Sequence, residues 1–75
     1  MGYSTKDIDV SYAKMIVKNW GWSVFEASEE KYFGNKKWRK DVIRAEAVLE
    51  RPEIHLTLKN GDFVTVENTA VKGAN

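Results

Sequence analysis

The last third of the chain alternates apolar and polar residues around an Asn-Gly pair. In EIHLTLKNGDFVTVE, residues 53–67, Ile54 and Leu56 precede Asn60-Gly61, and Val64 and Val66 follow it. A period of two marks half-buried strands. Asn-Gly between such runs is the strongest short signal for a β-hairpin. The pattern also selects the turn. A two-residue loop pairs Leu58 with Phe63 and Leu56 with Thr65, which splits the apolar residues between two faces. A three-residue loop, Lys59-Asn60-Gly61 with Gly61 in a left-handed bulge, pairs Leu56 with Val64 and Ile54 with Val66. Those four residues then share one face, with His55, Thr57, Phe63 and Thr65 on the other. Register follows the face that must be dry, so the bulged turn is predicted.

Residues 7–20 carry a helical period. Ile8, Tyr12, Met15, Ile16 and Trp20 recur at three- and four-residue steps and form one apolar stripe. Asp7, Asp9 or Ser11 can cap its start, and Gly21 stands where a left-handed residue ends a helix. Residues 22–27, WSVFEA, read as a short strand with Trp22 and Val24 on one face and Ser23 and Phe25 on the other. Ser28 with Glu29, Glu30 and Lys31 opens a single helical turn that stops at Gly34, and Gly34-Asn35 is a turn signal. Residues 42–50, VIRAEAVLE, fit two periods. As a strand, Ile43, Ala45, Ala47 and Leu49 point inward. As a helix, Trp38, Val42, Ala45 and Leu49 make a narrow stripe. The strand is preferred because two strands of similar length follow, and Pro52 ends either element. Residues 1–5 and 68–75 read as loose ends.

These elements predict an α+β fold: an N-terminal helix packed on a small, mostly antiparallel sheet of about four strands, with a C-terminal β-hairpin. The expected core is Tyr12, Ile16, Val24, Ile43, Leu49, Ile54, Leu56, Val64 and Val66, with one or more Trp closing an open end. Seventy-five residues make a single small domain, 1–75. A 43% hydrophobic content with 31% charged residues is that of a chain that folds. There is no cysteine, so disulfides and thiolate chemistry are excluded and a reducing, cytoplasmic setting is expected. No apolar run approaches the ~20 residues of a membrane span, and no membrane partner is expected.

Charge changes this picture at one place. KYFGNKKWRK, residues 31–40, holds five cations (Lys31, Lys36, Lys37, Arg39, Lys40), the rings of Tyr32, Phe33 and Trp38, and no acid. The whole chain is +1, so the other 65 residues are net −4. Crowded cations repel unless an anion meets them. Lys and Arg neutralise phosphates, and rings stack on unpaired bases. The favoured expectation is therefore a non-catalytic nucleic-acid-binding module. Its site is Lys31, Tyr32, Lys36, Lys37, Trp38, Arg39 and Lys40, with Lys36, Lys37, Arg39 and Lys40 on the backbone and Trp38 and Tyr32 stacking. The alternative is a small interaction or inhibitor module, of the kind phage and mobile elements carry, docking an acidic protein surface. Arg and aromatic residues dominate such interfaces as well. A homodimer through a sheet edge is compatible with either.

Catalysis is not expected. His55 is the only histidine, and it projects from the solvent side of the hairpin. No phosphate-cradling glycine loop or calcium-loop spacing is present, and no metal or cofactor is anticipated. KNWGWSVFEAS, residues 18–28, resembles the helix-then-strand opening of restriction-like nuclease folds. Those folds also need an Asp and a Glu-x-Lys on adjacent strands of a larger core, which this chain is too short to build. LKNGDFVTVEN, residues 58–68, resembles the strand-turn-strand of small SH3-like and Sm-like barrels. The Sm signatures do not follow in order, so no residue roles carry over.

Overall fold

One α-helix lies against one face of an antiparallel sheet, as an α+β fold. The computed structural model describes residues 4–25, Tyr32 and residues 35–68, with residues 24 and 25 described by backbone alone. Strands β1 (Thr5–Ile8), β2 (Val24–Phe25), β3 (Val42–Val48), β4 (Glu53–Leu58) and β5 (Phe63–Glu67) join helix α1 (Val10–Asn19) and a 3-10 helix, Lys37–Asp41. The sheet order is β1-β3-β4-β5-β2, and every neighbouring pair is antiparallel.

The hairpin forms in the register that dryness demands. Leu56 pairs with Val64 and Ile54 with Val66. Gly61 has φ +93°, its N–H donates to the Leu58 carbonyl at 2.9 Å, and the Leu58 N–H donates to the Asp62 carbonyl at 2.9 Å. This is a type I turn closed by a glycine bulge. Ile54, Leu56, Leu58, Val64 and Val66 are all buried on the helix side.

The four expected strands are present, and a fifth, β1, joins them because the chain ahead of the helix is extended. Asp9 is extended, and its carboxylate accepts from the Ser11 and Tyr12 N–H groups at 3.0 and 3.3 Å. The helix therefore starts at Val10 rather than at residue 7. Thr5–Ile8 is left extended and pairs with β3, Ile8 opposite Ala45. Thr5 does not belong to a loose end. At the other terminus the Asn68 N–H is held by the Pro52 carbonyl at 2.9 Å, and residues 69–75 lie outside the described residues, as does the turn expected to open at Ser28.

Helix α1 is rotated from its predicted phase. Ala13 and Val17 are buried, and Val10, Ile16 and Trp20 pack beside them, whereas Tyr12 and Met15 are exposed. Two stripes overlap on this helix. The one with small and β-branched residues faces the sheet, where it permits close approach, and the bulkier one faces out.

Strand β3 is the strand anticipated, but its alternation slips. The register with β4 shifts between Val42 and Arg44, so Ile43 is an extra, unpaired residue. A bulge of this kind turns Ile43 outward while Val42 and Ala45 both stay in the core. Leu49 lies beyond the strand and is exposed. Tyr12, Ile43 and Leu49 are thus not core residues, and the side chain of Val24 lies outside the described set.

The other sheet face is polar at one end. Glu53 and Glu67 sit directly opposite each other and are both buried. Like charges in that position repel. Arg51 reaches both, with Nε 3.7 Å from Glu53 and a terminal nitrogen 3.6 Å from Glu67.

Gly61→Ala is expected to lower the unfolding free energy by about 1–2 kcal/mol, because a side chain disfavours positive φ. The space itself is open, with no atom within 4 Å of an added Cβ. Leu56→Ala should cost about 2–5 kcal/mol and Tyr12→Ala less than about 0.5 kcal/mol. Urea denaturation measures all three, and equal losses at positions 56 and 12 would contradict the helix phase.

Candidate nucleic-acid interface

The basic stretch becomes a 3-10 helix with Lys36 at its N-cap. Three residues per turn put side chains i and i+3 in one row. Trp38 and Asp41 share the row that meets the fold. Lys37 and Lys40 share the next, and Lys36 and Arg39 the third. The Asp41 carbonyl accepts from the Lys59 N–H at 2.9 Å, and its carboxylate pairs with the Lys59 ammonium at 3.4 Å. The 3-10 helix is thereby pinned to the hairpin turn.

Trp38 is the anchor of this turn. It is 4% exposed and meets Tyr32 edge-on at 6.0 Å and Trp22 edge-on at 5.6 Å. Tyr32 is 6% exposed. Its hydroxyl donates to the Asp62 carboxylate at 2.5 Å and accepts from the Asn60 amide at 3.3 Å. Neither ring presents a free face, so the stacking role expected of Trp38 and Tyr32 does not hold. A small core recruits large rings because each removes much apolar area from water. Lys36, Lys37 and Lys40 are exposed as expected, and Arg39 is half-buried. Lys31 lies outside the described residues.

Arg39 occupies a special setting. Its guanidinium carbon lies 4.0 Å from the centre of the Trp22 ring and 5.9 Å from that of Trp38. Burial holds the group below the usual arginine pKa, and it remains a cation at neutral pH. Arg39 Nε and Trp38 Nε1 are both buried donors without an acceptor among the described residues.

Trp22 was expected in a strand and instead completes the end of α1. The Gly21 N–H donates to the Lys18 carbonyl at 3.1 Å and the Trp22 N–H to the Val17 carbonyl at 2.9 Å. This is a Schellman ending with Gly21 as the left-handed residue, φ +79°. The motif commonly folds an apolar residue just past the glycine back over the helix. That rule is the sequence signal for Trp22, and the alternation of WSVF conceals it. Trp22 itself has φ +53°, a strained conformation for a side chain of this size.

Elsewhere, His55 is half-buried with Nε2 2.6 Å from the Glu53 carboxylate. Among the described residues no group of three or more acids and histidines is placed to hold a metal ion. The chain matches no protein-family model, no curated protein and no solved structure.

Trp38→Ala is expected to cost about 3–5 kcal/mol of stability. Lys36→Ala with Lys37→Ala should leave it within about 0.5 kcal/mol. Denaturation curves of the two variants separate the anchor of the turn from its surface.

Proposed function

We propose that this protein binds nucleic acid without catalysis, through the phosphate backbone, with Lys36, Lys37, Arg39 and Lys40 as the contacting cations. The observation that carries the reading is that none of these four forms an ion pair among the described residues. Arg44, Arg51 and Lys59, by contrast, each lie against an acid. Four unneutralised cations within five residues make a local positive field on a chain whose remainder is acidic. Such a field draws in a polyanion and orients it. With Trp38 and Tyr32 in the core, recognition rests on phosphates more than on bases, so weak sequence preference is expected.

A second reading, docking to a protein, has one observation in its favour. Ile43 and Phe63 are each 61% exposed, on the sheet face that α1 leaves bare. Thr57 stands opposite Phe63 of β5 and opposite Arg44 of β3, the residue that follows the unpaired Ile43. Exposed apolar residues grouped on one face are the seed of an interface. This reading predicts a salt-tolerant, stoichiometric complex that Ile43→Ser with Phe63→Ser abolishes. As for setting, no helix among the described residues is long and apolar enough to cross a membrane, and we place the protein in the cytoplasm on its cysteine-free composition.

A plot of log binding constant against log salt decides the first reading. The slope should be steep, and Lys36→Ala with Lys37→Ala should reduce it by roughly 1.4–1.8, the counterions of two phosphates. A slope near zero, or one unchanged in the double variant, would overturn it.

A further inference from the structure

Arg39 differs from the three lysines around it because the fold holds it in one place. Its guanidinium lies over the Trp22 ring at 4.0 Å, which occupies a flat face; Nε is buried, and the terminal N–H edge is the part a ligand can meet. That edge is a planar fork of donors suited to an oxyanion. Among the described residues no carboxylate meets it. Two donors in this cluster, Arg39 Nε and Trp38 Nε1, are buried and lack acceptors among the described residues, a costly state for any polar group. The ring beneath Arg39 belongs to Trp22, which is kept at φ +53°. Left-handed backbone costs a non-glycine residue free energy, and strain of this sort gathers at binding sites.

We propose that Arg39, seated on Trp22 and beside Trp38, is an anchoring site for a single phosphate oxyanion. In the nucleic-acid reading, on which this inference rests, it is the point that fixes a strand on the protein while Lys36, Lys37 and Lys40 hold adjacent phosphates diffusely. A phosphate fits better than a carboxylate for two reasons. Its oxygens are numerous enough to take both terminal nitrogens of the Arg39 fork and a neighbouring lysine at once, and the lysines supply more positive charge than a lone carboxylate balances.

The test is a titration of the intact chain, followed through the Arg39 Nε–H and Trp38 Nε1–H resonances in nitrogen-correlated NMR spectra. Inorganic phosphate is one titrant, and a short oligonucleotide is the other. Sodium chloride of matched ionic strength is the control. The proposal expects both resonances to shift with phosphate and not with chloride. Arg39→Lys should weaken phosphate binding roughly tenfold, since the charge stays and the fork is lost. Should Arg39→Lys fail to fold, the shifts in the unaltered protein still decide. Resonances that ignore phosphate, or move equally with chloride, would overturn the site. If phosphate moves them but the oligonucleotide does not bind, the oxyanion site stands and the nucleic-acid reading falls. If the oligonucleotide binds with a lysine-dependent salt slope and Arg39 stays silent, the anchor falls and the nucleic-acid reading stands.

Discussion

Burial of the Trp38 indole is the constraint on which the rest of this surface depends. The ring fills the end of the core beside Tyr32 and Trp22. A 3-10 helix then has no freedom in where its other rows point. With Trp38 inward, Lys37 and Lys40 stand together in solvent and Arg39 is swung onto Trp22. The cationic surface is thus a geometric consequence of a hydrophobic anchor. One short turn serves stability through one residue in three and presents charge through the other two.

The turn is also held by polar contacts that reach across the sequence. Asp41 binds Lys59 through backbone and side chain, and Tyr32 binds Asp62 and is bound by Asn60. Every one of these partners lies in or next to the hairpin turn. The bulged glycine conformation at Gly61 therefore does more than reverse the chain. It sets Lys59, Asn60 and Asp62 where the basic turn and Tyr32 dock, so a local backbone preference is coupled to the placement of a charged surface.

The opposite face of the sheet obeys a different logic. Glu53 and Glu67 are buried side by side, and Arg51 with His55 surrounds them with donors. Buried carboxylates are tolerated when a cation and hydrogen bonds accompany them. Toward the other end of the same face, Ile43 and Phe63 stand exposed. The acids here are engaged within the fold. Among the described residues the cations of the basic turn meet no acid, and that asymmetry is what supports the proposal of an anionic partner.

Much of the architecture was legible in the residues alone. The hairpin register, its bulged turn, the cap by an early Asp and the stop at Gly21 all follow from local backbone chemistry and from alternation, which act within a few residues. The segregation of charge was equally plain. The phase of α1 was not, because two apolar stripes overlap and only contact with the sheet chooses the one with smaller side chains. The slip in β3 was hidden because a bulge at Ile43 leaves no mark in an apolar run. β1 was hidden because its pairing with β3 spans some forty residues. The fate of Trp38 lay in tertiary structure as well: a ring between cations reads the same whether it faces a base or a core. Packing decided it, since a chain this short has few large side chains with which to exclude water.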